Sequence, residues 1–222
     1  MANDTFMPAR LHGMHTHRHA IEGLFAQHGC VLSAAAALSW LMDLIKIDSA
    51  ERFLADIEKA DLAADAIPVF TPYLTGERTP HDDPTASATF SNLRMDTGPL
   101  QLGRAVLEGV AFALADCQDA LCDAGAPIEQ IMLIGGGARS RFWAQLVASA
   151  IDRPLAIPAQ AALGPALGAA RLARQAIGGV LTPSETAVSD VVTPDAAAQE
   201  SLERRRAIYR AHYAGMGRKD GG

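Results

Sequence analysis

The chain has 222 residues, of which 49% are hydrophobic and 20% charged, and its formal net charge at pH 7 is −6. This length and composition are typical of a globular protein that buries a core. An acidic chain has no general attraction to nucleic acid or to anionic lipid, so we expect neither as a partner. The longest apolar stretch, residues 30–42, is shorter than the roughly 20 residues that a membrane-spanning helix needs.

The cysteine pattern indicates a reducing compartment. Cys30, Cys117 and Cys122 form no C-x-x-C pair and no even-numbered set, which argues against a disulfide framework or a zinc ribbon. We expect all three to be small buried apolar residues. Near the N-terminus, Asp4 and Pro8 stand where an export signal has an apolar segment, so we expect a cytoplasmic protein.

The first part of the chain predicts short strands followed by two helices. Residues 1–29 read as strand-like pieces, and the Ala- and Leu-rich residues 31–46 predict a helix. Ser49 is a good N-cap for a second helix that reaches about Ala60. Residues 67–70 predict a short strand.

A loop rich in proline follows at residues 71–84. Its prolines and glycine exclude both a helix and a central strand, and loops of this length are usually functional or disordered. Asp82 and Asp83 lie beside Arg78 here, and we interpret them as turn-capping or ion-pairing residues rather than as a general acid and base.

The strongest helix signal covers residues 98–124. Its apolar residues repeat along one face, Arg104 and Glu108 are spaced to pair at i,i+4, and Gly125 ends it. We therefore expect one buried face on this helix.

The second half of the chain alternates between strands and helices. Residues 131–134 predict a strand covered on both faces, followed by a helix at 140–151, a strand at 155–158 and a helix at 165–177. This order is typical of an α/β protein.

The C-terminal region predicts a loop at 184–198, a helix at 198–213 and a disordered tail at 216–222. Four arginines fall on the helix, and we interpret them as a solvated face: Arg204, Arg205, Arg206 and Arg210.

The most distinctive motif is Leu133-Ile-Gly-Gly-Gly-Ala-Arg-Ser140, in which a strand leads through three glycines into a helix. Glycines let the backbone approach a flat or anionic ligand, and the first amides of a helix donate to polar or anionic groups. The motif fails the G-x-G-x-x-G pattern at Ser140, and no Gly-Lys-Ser/Thr follows as in a Walker A loop. From the residues alone, a binding turn and a simple tight connection both remain open.

Four histidines near the N-terminus are candidate metal ligands: His12, His15, His17 and His19. On a strand the last three would share one face. Only Glu22 is near enough to complete a ligand set, so we expect no metal. The chain has no local signature of a Ser-His-Asp or Cys-His arrangement, so we name no catalytic residue.

Four segments, in this order, resemble motifs of the C-terminal domain of the FGGY carbohydrate kinases. They are Pro-Tyr-Leu-Thr-Gly-Glu-Arg-Thr-Pro-His-Asp-Asp-Pro at 72–84, Leu-Gly-Arg-Ala-Val-Leu-Glu-Gly-Val-Ala-Phe-Ala-Leu-Ala at 102–115, the glycine motif at 133–140, and Gly-Pro-Ala-Leu-Gly-Ala-Ala-Arg-Leu-Ala at 164–173. The resemblance covers about residues 14–177.

This resemblance implies an α/β fold of the actin-like ATPase (ribonuclease-H-like) type, a mixed sheet flanked by helices that is incomplete relative to the family. It divides the chain into a non-matching segment, 1–13, a nucleotide-side kinase domain, 14–215, and a tail, 216–222. In a complete member, a cleft between this domain and an N-terminal domain holds ATP with Mg²⁺ and a sugar that receives the γ-phosphoryl group.

The resemblance also assigns adenosine binding to one turn, composed of Gly135, Gly136, Gly137, Ala138, Arg139 and Ser140. It implies that the loop at 72–84 borders the cleft and that the Ala-rich helix at 165–173 packs closely behind the turn. It also implies that the sugar site and the general-base aspartate belong to an N-terminal half.

Because phosphoryl transfer needs a closed cleft, we expect this chain alone to be inactive. We also expect it to form a homo-oligomer or to pair with an N-terminal half. The alternatives are a non-catalytic nucleotide-binding or assembly module and an unrelated α/β protein.

Overall fold

The computed structural model describes residues 2–8, 13–125, 127–180 and 187–215. The tail expected at 216–222 and the candidate ligand His12 lie outside this part of the chain. The N-terminal strands β1 (Ala2–Asn3), β2 (His15–Arg18) and β3 (Phe25–His28) form an antiparallel sheet in the order β1-β3-β2. The strand-like pieces expected in this region are confirmed.

Two helices follow, as the apolar periodicity predicts. Helix α1 (Ala34–Ile45) buries Ala37 and Leu41 completely, and helix α2 (Ala50–Lys59) buries Phe53 and Ile57. Ser49 is the N-cap of α2, because its hydroxyl oxygen accepts the backbone N–H of Arg52 at 3.3 Å.

Helix α3 (Pro99–Asp123) lies at the centre of the molecule. It packs against α1, α2 and the two-stranded antiparallel sheet of β4 (Val69–Thr71) and β5 (Thr89–Ser91). Its small residues allow this close packing, since a Cβ added at Gly109 would lie 2.3 Å from the Phe70 carbonyl oxygen. The buried face expected of α3 is confirmed, and burial extends beyond it, because α3 is enclosed on several sides.

The second half forms a mixed three-stranded sheet in the order β6-β7-β8. Strands β6 (Ile131–Met132) and β7 (Leu155–Pro158) are parallel, whereas β8 (Val188–Val192) runs antiparallel to β7. Helix α4 (Arg141–Ile151) connects β6 to β7, and helix α5 (Gly164–Ala176) follows β7. Strand β8 occupies the region expected to be a loop, where its apolar residues pair with β7.

The strand predicted at residues 131–134 is shorter and less covered than its apolar sequence suggested. Only Ile131 and Met132 are in strand conformation, and Met132 is 42% exposed and Ile134 50% exposed. An uninterrupted apolar run normally indicates burial on both faces. Here β6 lies at the border of its sheet, and on one side it has no neighbouring strand among the residues that the structure describes.

The final helix, α6 (Ala196–Gly215), corrects the interpretation of the arginine run. Arg205 is only 7% exposed, and its Nε donates to the buried Glu108 at 2.6 Å. Its remaining N–H groups donate at 2.9 Å to three backbone carbonyls, those of Ala64, Ile67 and Pro68. Arg205 therefore fixes α6 to the interior rather than facing water.

Two more arginines of α6 reach back to α3. Arg206 and Arg210 both donate to Asp116, which is 4% exposed, and both also pair with Asp119. Of the four arginines, Arg204 fits the solvated interpretation, since it is exposed and pairs with Glu200 on its own helix. The acidic partners on α3 are distant in the sequence, so periodicity alone could not reveal them.

The cysteines are only partly as expected. Cys117 is buried, and burial raises the pKa of its thiol to about 11, whereas Cys30 and Cys122 are exposed. All three are free thiols. Within the described ranges, no helix has the length and apolar character that crossing a membrane requires.

Candidate functional site

The glycine motif forms a turn between the end of β6 and the start of α4. The backbone N–H of Leu133 donates to the carbonyl of Ala156 on β7 at 2.9 Å. The N–H of Gly135 donates, also at 2.9 Å, to the carbonyl of Ala161, which lies between β7 and α5. Gly135 has a φ of 90°, a conformation that only glycine adopts without strain. The sequence therefore needs glycine here to leave the sheet edge.

The remainder of the turn leads directly into α4. Residues Gly136–Arg139 form a 3₁₀ turn, closed by the N–H of Ser140 donating to the Gly137 carbonyl at 3.2 Å. The Ser140 hydroxyl oxygen then accepts the N–H of Trp143 at 3.2 Å and caps α4. The following amides at the helix N-terminus, together with the helix dipole, favour polar or anionic groups.

The neighbouring glycines of this turn face different surroundings. A Cβ added at Gly136 would meet no atom within 4 Å, whereas one at Gly137 would lie 2.8 Å from the ring of Trp143. Gly136 and Arg139 are exposed, and the other four residues predicted to bind adenosine are half-buried. The structure thus brings all six together in one turn with an open side at Gly136.

Helix α5 begins beside this turn but does not cover it. A Cβ added at Gly164 would lie 3.3 Å from the side chain of Ile134. Beyond its start the helix turns toward water, and Leu167 is 38% and Leu172 49% exposed. The expectation that this helix packs closely behind the turn is therefore met only at its first residue.

The loop at residues 72–84 is held by buried polar groups that the sequence alone did not single out. Glu77 is 2% exposed, and its Oε1 accepts the backbone N–H groups of Leu32 at 3.1 Å and of Arg78 at 2.7 Å. Burial raises the pKa of Glu77 although these hydrogen bonds oppose the shift. The available signal was a glutamate placed between Gly76 and Arg78 in this proline-rich loop.

A tyrosine and a histidine tie the same loop to α6. The Tyr73 hydroxyl lies 2.7 Å from the Tyr209 hydroxyl and 2.8 Å from Nε2 of His81. Burial raises the pKa of Tyr73 and lowers that of His81. His81 also stacks on Tyr213 with ring centroids 3.6 Å apart. The loop is consequently rigid where it meets the last helix.

The paired aspartates of the loop have the structural role expected for them. Asp83 Oδ1 accepts both the backbone N–H of Thr85 at 2.9 Å and its hydroxyl at 2.7 Å, and these bonds hold the pKa of Asp83 below its usual range. Asp82 has a φ of 49° and lies 3.7 Å from the Arg78 guanidinium. Both residues shape the turn.

The histidines on β2 meet a further histidine on β3. The ring of His17 stacks on that of His28 at 4.4 Å, and burial together with His17 lowers the pKa of His28. Among the residues that the structure describes, no three His, Cys, Asp or Glu side chains are grouped as metal ligands.

Three cavities lie away from the glycine turn. The largest, of about 780 Å³, is bordered by β1, β6, α3 and α4, and two smaller ones have volumes of about 310 and 240 Å³. None of these three includes a residue of the turn at 135–140. Within the turn, Gly136 and Arg139 are the exposed residues.

The chain belongs to the FGGY family of carbohydrate kinases, since the model of that family's C-terminal domain matches residues 4–177. The matched range includes part of the N-terminal segment for which we expected no counterpart. The fold is the one expected, an actin-like α/β domain with a mixed sheet and flanking helices, and it covers only part of complete members.

Curated relatives of this chain include several xylulose kinases. The chain is 41% identical over 161 residues to that of Escherichia coli K12 and 42% identical over 164 residues to that of Klebsiella pneumoniae. These alignments cover 72% and 74% of this chain but only 33% and 34% of the relatives. The chain thus matches about a third of their length.

Solved structures agree with these relatives. The xylulose kinase of Rhodospirillum rubrum superposes with a TM-score of 0.79 at 31% identity, covering 97% of this chain and 44% of that one. A xyloylose kinase from Brucella ovis gives a TM-score of 0.85 at 33% identity, with 97% and 45% covered.

Proposed function

We propose that this chain is the C-terminal, nucleotide-side part of a xylulose kinase, which transfers the γ-phosphoryl group of ATP to D-xylulose and yields D-xylulose 5-phosphate. The relatives named above support the substrate class. The structural observation that carries the proposal is the glycine turn, which opens beside Gly136 at the N-terminus of α4.

The residues of the turn suit an adenosine group. Gly135 and Gly136 present backbone without side chains, and Gly137 packs against the Trp143 ring. Arg139 adds an exposed cation within the turn. The amides that open α4 supply donors. Together Gly135, Gly136, Gly137, Ala138, Arg139 and Ser140 would hold the nucleoside. ATP bound with Mg²⁺ supplies the phosphoryl group in the complete enzyme.

The loop at 72–84 would border the cleft opposite the turn. Glu77 binds the backbone of Leu32 and Tyr73 binds the hydroxyl of Tyr209, so the loop is anchored at two points. In this proposal its role is to position the border of the cleft, and no residue of it is catalytic.

The isolated chain would be inactive, because the sugar site and the general-base aspartate would come from an N-terminal half in the same cytoplasmic enzyme. Positioning across a closed cleft provides most of the acceleration in phosphoryl transfer, and one wall cannot supply it. As an alternative, the chain would act as a non-catalytic assembly module; the large cavity between β1 and β6 favours this second role.

Calorimetric titration with MgATP tests the nucleotide role. We expect saturable binding by the 222-residue chain. The substitution Gly136→Asp, which places a negative charge in the open side of the turn, should abolish the heat signal. Gly136→Ala is the matched control, because its Cβ meets open space. Unchanged affinity in Gly136→Asp would contradict binding at this turn.

A further inference from the structure

Arg104 of α3 contacts the first turn of α4, the helix that follows the glycine turn. Its guanidinium carbon lies over the ring of Phe142, 5.4 Å from the ring centre. The Arg104 side chain is 23% exposed, and a cation–π contact that is largely withdrawn from water is stronger than one at an open surface. Arg104 belongs to the segment at 102–115, to which the proposed function gives no role.

Buried charges fix the position of this guanidinium. Its Nε donates to Glu108 at 2.8 Å, and Glu108 also accepts from Arg205 at 2.6 Å. Arg205 in turn donates to three backbone carbonyls in the range 64–68. Because Nε of Arg104 is held by the carboxylate, the planar group has little freedom to turn. Its place over the aromatic ring is therefore set by α3 and α6.

Phe142 supplies a backbone donor to the candidate site as well as an aromatic ring. The first N–H groups of a helix have no acceptor within that helix. In α4 the Ser140 hydroxyl accepts the N–H of Trp143 at 3.2 Å. The N–H groups of Arg141 and Phe142 are therefore left for a ligand at the turn. A displaced Phe142 would also disturb its neighbour Trp143, whose ring packs against Gly137.

We infer that Arg104 is a positioning residue, which acts through Phe142 to hold the first amides of α4 and the Trp143 ring where a bound nucleotide needs them. The inference rests on the proposed function for the identity of the ligand. A positive charge alone cannot fill this role, because a planar guanidinium stacks on a ring while it donates to a carboxylate and an ammonium group does not.

Paired substitutions test whether the contact matters for binding. Arg104→Lys keeps a charge beside Glu108 without the planar group, and Phe142→Leu keeps an apolar side chain without the ring. In calorimetric titration with MgATP, each should weaken binding about five- to tenfold. The double variant should bind no more weakly than the weaker single variant, because both changes remove the same contact. Arg204→Lys, at the exposed pair with Glu200, is the matched control and should bind as the native chain does.

Fluorescence of Trp143 reports on the turn without any nucleotide. The chain has two tryptophans, so Trp40→Phe leaves Trp143 as the single emitter. Trp143 is 9% exposed, and we expect both Arg104→Lys and Phe142→Leu to raise the acrylamide quenching of its emission. Arg204→Lys should leave the quenching unchanged. Urea denaturation establishes that each variant is folded, and Phe142→Leu tests the contact independently of Arg104→Lys.

Native affinity for MgATP in both single variants would overturn the inference, as would quenching of Trp143 that neither variant changes. A double variant weakened by the product of the single effects would also overturn it, because the two residues would then act independently. Failure of the native chain to bind MgATP refutes the nucleotide role. The quenching of Trp143 then decides the positioning role by itself, since it is measured without nucleotide.

Discussion

Glu108 is the buried charge on which the centre of the molecule depends. It is 2% exposed and accepts from Nε of Arg104 at 2.8 Å and from Nε of Arg205 at 2.6 Å. Charges taken out of water are stable only while each has its partners, because an unpaired one keeps its desolvation cost. The ion pair predicted at i,i+4 is confirmed, and Arg205 completes it from a distant helix.

Replacing Glu108 should therefore be costly. Glu108→Gln removes the charge that Arg104 and Arg205 share, and we expect the free energy of unfolding to fall by about 3 kcal/mol in urea denaturation. Glu200→Gln, which breaks the exposed pair with Arg204, should cost less than about 0.5 kcal/mol. Equal losses of unfolding free energy in the two variants would show that the ion pairs of Glu108 contribute no more to stability than an exposed pair.

Adjacent glycines of the turn at 135–140 should respond differently to a methyl group. Gly137→Ala forces a Cβ to within 2.8 Å of the Trp143 ring, so we expect a loss of about 1–3 kcal/mol from overpacking. Gly136→Ala should change the stability by no more than about 0.5 kcal/mol. Thermal unfolding of the two variants compares them directly, and a reversed order would contradict the described geometry.

Glu77 should make stability depend on pH. Its folded pKa is raised by burial, so the folded state holds its proton to higher pH than the unfolded state. The stability from this group is thus complete below the ordinary glutamate pKa and declines as pH rises through the raised folded value. Glu77→Gln keeps an acceptor for Leu32 and Arg78 without this titration.

We accordingly expect the difference in unfolding free energy, Glu77→Gln minus native, to increase between pH 4 and pH 8. Urea denaturation across that range measures it. Glu203→Gln, at an exposed position on α6, should show no such trend. A difference that stays flat or decreases with pH would contradict a raised pKa at Glu77.

At the scale of elements, α6 is attached to two other parts of the fold. It is joined to α3 through Asp116, and to the loop at 72–84 through the contact between Tyr209 and Tyr73. Arg206 and Arg210 both donate to the Asp116 carboxylate. Burial alone would lower the pKa of Arg210, but its hydrogen bonds to Asp116 and Asp119 outweigh this and raise its pKa. Asp116 is 4% exposed, and its loss would leave the half-buried Arg206 and the exposed Arg210 with only Asp119 as an acidic partner.

Asp116→Asn should loosen α6 more than it disturbs the remainder of the fold. We expect a loss of about 2–4 kcal/mol and faster hydrogen exchange across residues 196–215. Asp123→Asn serves as the control, because Asp123 is the exposed last residue of α3, the helix that also carries Asp116. Exchange that accelerates equally in α1 would mean that α6 does not open as a separate unit.

The sequence predicted those elements whose causes are local. Ser49 and Ser140 begin α2 and α4 as N-caps, and the glycine turn lies where the motif suggested. It missed β5 and β8, since short strands of three and five residues depend on a neighbour to pair with. It also misplaced the arginines of α6, because their acidic partners lie on α3 and no local pattern records them.

The sequence likewise predicted only the local features of the candidate site. Glycines followed by a helix start reveal a turn, but they do not reveal that Gly136 is open while Gly137 is packed against Trp143, which depends on the tertiary fold. Glu77 and Tyr73 were likewise invisible, because their role follows from burial against segments far along the chain.

At the scale of the whole molecule, our proposal makes the turn at 135–140 one wall of a kinase cleft. The chain covers about a third of its curated xylulose kinase relatives. In the proposed function the other wall of the cleft comes from an N-terminal half, and the two walls act only together.

The most direct test is phosphorylation of D-xylulose with MgATP, measured by coupling ADP release to NADH oxidation. We predict no turnover above background for this chain alone or for the N-terminal half of the Escherichia coli relative alone. The mixture should be active, and Gly136→Asp in this chain should abolish that activity. Turnover by this chain alone would contradict the account. Undiminished activity of a mixture that contains the Gly136→Asp variant would also contradict it.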